Sequence, residues 1–187
     1  MNKVLLFITF ITVQLHAQSR FEVTSGKIEF TSDAPMEIIN ASTEKTPGII
    51  DPVTRQFGFI VKSGSFTGFN SEIQREHFNE KYMESEKYYQ STFSGVIMDS
   101  INFHKDGIYK VKAKGSLMIH GRKQPRIIPG TITISKGVLT LEAEFKILLK
   151  DHDIAIPTIV NQKIASEIYV KLKFSMVEKE KTGKLKM

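Results

Sequence analysis

The sequence predicts an all-β fold, an extended antiparallel barrel of about eight strands with one short helical segment near its mouth. Three observations lead there. Period-two alternation dominates the chain, the mark of strands with one buried face. The alternating runs reach about ten residues, or about 33 Å at ~3.3 Å per residue, against ~17–20 Å for an ordinary strand. Antiparallel strands of that length curl, and closure into a barrel removes their exposed edges.

The elements follow in chain order. The first residues, MNKVLLFITFITVQLHAQS, have the layout of a secretory signal peptide: Lys3, an apolar run from Val4 to Val13, and small or polar residues around Ala17. That run falls short of the ~20 residues that span a bilayer. Residues 1–17 are therefore read as the signal, with the mature chain beginning near Gln18 or Ser19. Residues 18–177 form the barrel domain. Strands are expected at 21–32, 35–41 and 56–62, the last with Phe57, Phe59 and Val61 on one face. Between Ser71 and Lys87 alternation stops, and Phe69, Ile73 and His77 recur at i, i+4, which predicts a helical turn plus a loop.

A strand at 91–98 follows. From Tyr109 the odd positions read Tyr109, Val111, Ala113, Gly115, Leu117 and Ile119, against Lys110, Lys112, Lys114, Ser116, Met118 and His120. A further run sets Leu139, Leu141, Ala143, Phe145, Ile147 and Leu149 against Thr140, Glu142, Glu144 and Lys146. The last sets Ile168, Val170, Leu172, Phe174 and Met176 against Glu167, Tyr169, Lys171, Lys173 and Ser175. Turns are expected at Pro47-Gly48, Ser63-Gly64, Asp106-Gly107, Pro129-Gly130 and Lys136-Gly137. Residues 178–187, a charged stretch, are expected to be a flexible tail.

Parity also places His120. It shares a face with Lys110, Lys112 and Lys114, so it points out of the barrel at a strand end, with Gly121 supplying the turn. A bulge would turn it inward. Small inward residues (Ala113, Gly115, Ala143) leave room for a ligand, or for neighbouring aromatic rings.

Composition excludes several chemistries. The 187 residues include no cysteine, so disulfides, thiol nucleophiles and thiolate metal sites are out. The net charge is +6, or +5 without Lys3, which is compatible with transient contact with an anionic membrane surface. A secreted chain without an arginine tract gives no expectation of nucleic-acid binding. GSFTG at 64–68 lacks the central serine of a nucleophile elbow, and there is no HExxH, P-loop or GxGxxG. Asp151-His152-Asp153 superficially suggests a metal site, but it falls where a polar turn is expected. The reading is a binding protein, not an enzyme, with no cofactor and no metal.

Three segments carry a family resemblance: REHFNEKYMESEKYYQSTFSG (75–95), GSLMIHG (115–121) and FKILLKDHDIAIPTIVNQKIASEIYVKLKF (145–174), together with FGFIVKSGSFTGFNSEI. They resemble the YceI-like family of periplasmic lipid-binding proteins. Departures from its pattern, such as Tyr89 at a common proline position and Arg122-Lys123 after the glycine, fall near the entrance. The resemblance implies a lipocalin-like barrel holding an isoprenoid or other long-chain lipid, in the periplasm or secreted. Candidate lining residues are Phe57, Phe59, Phe93, Val111, Leu117, Phe145, Ile147, Val170 and Leu172, each of which could equally be ordinary core. Arg75 and His77 are the headgroup candidates, placed on a helix at the mouth. The competing reading is a barrel filled by side chains that works as a periplasmic adhesion or interaction module.

Overall fold

The structure, a computed structural model, describes residues 19–180. The expected signal peptide and residues 181–187 of the expected tail lie outside the described residues. The strands are β1 Ser19–Ala34, β2 Glu37–Thr43, β3 Gly48–Ile50, β4 Gln56–Lys62, β5 Gln90–Ile97, β6 Gly107–Ile119, β7 Arg122–Ser135, β8 Val138–Leu148 and β9 Glu167–Glu180. One helix, α1, spans Glu72–His77. Every pairing is antiparallel, and β9 returns to β1 to close the sheet. β3 and β2 share one edge of β1, β3 at Phe21 and Glu22 and β2 from Ile28 to Ala34. The result is a closed eight-stranded barrel with β2 as an additional strand.

Closure requires β1 to bend. Its register against β9 shifts between Val23 and Ser25, and Gly26 follows directly. A Cβ on Gly26 would lie 2.3 Å from the Phe174 ring and 2.5 Å from the Lys173 carbonyl oxygen. Only glycine lets the two strands approach this closely.

The chain from β4 to β5 crosses the barrel end. Ser71 caps α1, its hydroxyl accepting from the Gln74 N–H at 3.2 Å. The helix runs on into a π-helical turn, Phe78–Tyr82, so the expected helical segment is present and short.

Three features differ from the sequence reading. The strand β3 is three residues long, below the length at which alternation is legible. The strand β7 was not foreseen, and Pro129-Gly130, expected as a turn, lies inside it. Lys112, opposite Pro129, directs its backbone groups towards residues 98 and 99: its carbonyl accepts from Met98 N–H and its N–H donates to the Asp99 carboxylate. In an antiparallel ladder Pro129 then also faces away from β6, towards β8. The β7–β8 ladder stops beside it, at Gly130–Ala143. Pro125, four residues earlier, has the same facing, so both prolines lie where β7 has no partner on that side and lose no ladder bond. Inward-parity side chains bridge the seam instead: Arg126 donates to the Lys146 carbonyl, and Gln124 to that of Asp151. Finally, β9 runs to Glu180 against Ser19, so residues 178–180 are strand and not tail.

Candidate functional site: the barrel interior

The interior divides into two parts. At the end holding the chain's first described residues, Phe21, Phe103, Ile134, Leu139 and Met176 are packed to near-zero exposure. The Phe21 and Phe103 rings lie 5.8 Å apart. Above this plug, a cavity of about 530 Å³ runs to the other end of the barrel. Its floor is Ile50, Ile97, Ile132 and Phe174. An engineered core cavity of roughly 150 Å³ already holds benzene. This space is in the range of ligand pockets, roughly 300–1,000 Å³.

The alternation of the strands makes its walls. Val111, Leu117, Phe145, Ile147, Val170 and Leu172 line it from β6, β8 and β9, and Phe57, Phe59 and Phe93 from β4 and β5. All nine sequence-derived candidates thus face the cavity. Phe57 and Phe93 lie 4.9 Å apart, and Phe59 stacks on Phe174 at 5.4 Å. Of the small inward residues, Ala113 and Ala143 line the cavity. Gly115 instead lets β5 approach closely: a Cβ there would lie 2.3 Å from the Ser94 carbonyl oxygen and 3.0 Å from the Phe93 ring.

Sequence reasoning missed an aromatic cluster under the helix. Phe30 stacks on Phe78 at 5.4 Å, and Phe66 and Phe69 pack against the same two rings. All four line the upper cavity, with Tyr82 from the π-helical turn and Met83 just after it. The density of phenylalanine between 66 and 78 was a usable signal, since a solvated helix has little use for it.

Among the described residues, charged and amide side chains line the cavity only at the mouth. His77 lines the cavity there with Glu37, Gln74 and Lys163. Arg75, the other headgroup candidate, does not. Its Nε and Nη2 donate to Glu72 Oε2 at 2.9 and 2.6 Å, on the exposed side of the helix. Lys163, in the loop between β8 and β9, is a cation that sequence reasoning did not select. Burial pushes the Tyr82 phenol above its ordinary value.

His120 corrects another expectation. It follows β6 directly and forms a two-residue turn with Gly121, both at positive φ (50° and 72°), as tight hairpins require. It does not line the cavity, yet it is buried. Parity gave the facing and missed the cover: the segment at 84–88 and the 3-10 turn Leu149–His152 lie over it. His120 Nδ1 donates to the His152 carbonyl at 3.1 Å, and Nε2 lies 2.9 Å from Glu84 Oε1. Tyr88 packs edge-on, 4.3 Å between ring centres. The hydrogen bond from His120 holds the Glu84 carboxyl below its ordinary range. His152 is buried in turn, its Nδ1 donating to the Arg122 carbonyl at 3.2 Å, and burial depresses its imidazole's proton affinity. Among the described residues no cluster of histidine and carboxylate groups could hold a metal ion.

Known proteins agree with this architecture. The crystal structure of Burkholderia cenocepacia BcnA superposes with a TM-score of 0.67 at 16% identity, covering 80% of this chain and 95% of that one. A polyisoprenoid binding domain from Saccharophagus degradans, implicated in plant cell wall breakdown, gives 0.70 at 13% identity, covering 87% and 99%. A Campylobacter jejuni YCEI protein gives 0.51 at 16% identity, covering 97% and 94%. No curated protein matches the chain. The model of the YceI-like domain matches residues 6–176, nearly the whole sequence, and the chain belongs to the YceI-like family.

Proposed function

We propose that this protein is a non-catalytic periplasmic or secreted binding protein that holds a long-chain amphiphile, a polyisoprenoid or quinone-like lipid, inside its barrel. The apolar cavity carries the reading. It is closed by the plug at one end and polar only at the other, which suits a tail inserted methyl-end first with its headgroup near His77 and Lys163. Drug-sized ligands gain roughly 0.3 kcal/mol per heavy atom. A ~40-atom tail then reaches about −12 kcal/mol, near nanomolar affinity, from contact alone. The similarity to a polyisoprenoid binding domain supports the ligand class. The competing reading, a barrel filled by side chains, has less support, since the interior keeps a cavity above its packed plug.

Native mass spectrometry of gently purified protein tests the proposal: a co-purifying lipid of that class is expected, and a ligand-free spectrum counts against it. Val170→Phe adds a sharper arm. Val170 lines the cavity, so the larger ring has space, and the ligand-free protein should stay within about 1 kcal/mol of the parent. In a packed core the same change costs about 1–3 kcal/mol. Lipid retention should fall sharply in the variant. A strongly destabilised lipid-free variant would contradict a cavity at this position.

A further inference from the structure

Bulky apolar side chains stand exposed around the cavity mouth. Met36, in the β1–β2 turn, is 65% exposed, Ile73 on α1 is 64%, and Ile159 in the β8–β9 loop is 91%. Hydrogen bonds join their elements into one rim. The Met36 N–H donates to the Gln162 carbonyl at 2.9 Å, the Gln74 amide donates to Glu37 at 2.9 Å, and the Asn70 amide to the carbonyl of exposed Ile38 at 3.0 Å. The rim borders the opening, because Ile73 and Val160, the neighbour of Ile159, also line the cavity. One exposed isoleucine is unremarkable. Four apolar residues around a single opening are a surface.

We propose that this rim docks end-on into the interfacial layer of a lipid bilayer, so that the cavity mouth opens directly onto the acyl chains. The inference rests on the lipid-binding reading above. A long tail entering from solution passes through water with its apolar surface exposed, the step that the hydrophobic effect opposes most. A mouth seated among acyl chains removes that step. Charge decides the mode of docking. The helical segment carries Glu72, Glu76 and Glu80 against Arg75 and Lys81, with Arg75 paired to Glu72, and on the barrel wall Lys171 and Lys173 are paired to Glu144 and Glu142 beside Lys110 and Lys112. The mouth therefore has no cation excess to draw it to anionic headgroups, and apolar burial is what favours it. Docking by the mouth therefore responds little to salt or to headgroup charge.

The experiment uses the full mature chain and two double variants, Met36→Asp/Ile159→Asp at the rim and Val53→Asp/Ile108→Asp at exposed apolar positions of the opposite end. Co-sedimentation is measured with vesicles of phosphatidylcholine alone and with added phosphatidylglycerol, at low and high salt. Uptake of a fluorescent prenyl alcohol and its transfer between vesicles are measured on the same proteins. The rim variant should bind both vesicle types at least about tenfold more weakly and transfer the probe more slowly, while the other variant matches the parent. Parent protein that ignores vesicles, or binding abolished by salt, overturns the docking face. So does a stable dimer that the rim variant dissociates. Probe uptake with equal transfer by parent and rim variant overturns the docking face alone. Vesicle binding through the rim without any probe uptake upholds the face and overturns the lipid-binding reading.

Discussion

At one end of the barrel Phe21, Phe103, Leu139 and Met176 pack until no space is left; at the other, Phe30, Phe66, Phe69 and Phe78 pack against one another and still leave a cavity beneath them. Both ends are rich in phenylalanine, so composition does not separate them. The covering elements do. At the plug, side chains of the long strands meet across the width, and Phe103 from the loop between β5 and β6 packs onto Phe21 to complete it. The mouth is spanned by a six-residue helix, a π-helical turn and loops, and polar contacts such as His120–Glu84 and Gln74–Glu37 hold these in place. Packing closes an end permanently. Hydrogen bonds hold the cover over the other.

The largest expected effect contrasts the same residue type in the two regions. Phe21→Ala removes a ring buried to 1% exposure and should cost about 3–5 kcal/mol in denaturant unfolding. Phe78→Ala, at the cavity roof, should cost about a third of that, because one side of its ring already faces open space. Equal costs would erase the distinction between plug and roof.

Next is His120→Ala. It strips the His152 carbonyl of its donor and leaves a void beside Tyr88, which should cost about 1–3 kcal/mol. Hydrogen exchange should rise at 84–88 and 149–153 and not in the plug strands. An unchanged exchange pattern would mean that the His120 contacts hold neither segment in place.

Acid should loosen the same end. The folded-state proton affinity of His152 is depressed by burial. As pH falls through the ordinary histidine value of ~6.5, the unfolded chain takes up the proton first, and stability declines. Glu84, held below its ordinary carboxylate value by His120, withdraws its contribution at lower pH still, as the folded carboxyl protonates. Protection factors near 119–123 and 149–153, taken relative to the intrinsic exchange rate at each pH from 7.5 to 5, should therefore fall before those of the plug strands. Simultaneous loosening would show one cooperative unit. The smallest effect expected is that of Arg75→Ala, whose partner Glu72 is exposed: stability and lipid retention should stay within scatter, as for surface pairs generally.

Much of this was legible in the sequence because a strand's facing depends only on parity. Once Val111 and Leu117 face inward, so do Ala113 and Ile119, and the cavity walls follow from β4, β5, β6, β8 and β9 without reference to anything distant. The family's motifs were legible for the same reason, being contiguous in the chain. The strand β7 was not, since Pro129-Gly130 reads locally as a turn. It is a strand because β6 pairs with one edge while β8 diverges from the other, and that divergence is a property of two chain segments at once. His120 was placed correctly with respect to the barrel and wrongly with respect to solvent, for parity describes one sheet and says nothing of the loop that lies over it. Arg75 yielded to Lys163 at the mouth for a related reason: which cation reaches the opening depends on how the β8–β9 loop folds back over the barrel end. The sequence by itself determined which side chains face inward, because that is set by neighbours two residues apart. Tertiary structure alone decided where the interior is filled and where it is empty, because volume between strands depends on how far apart closure holds them.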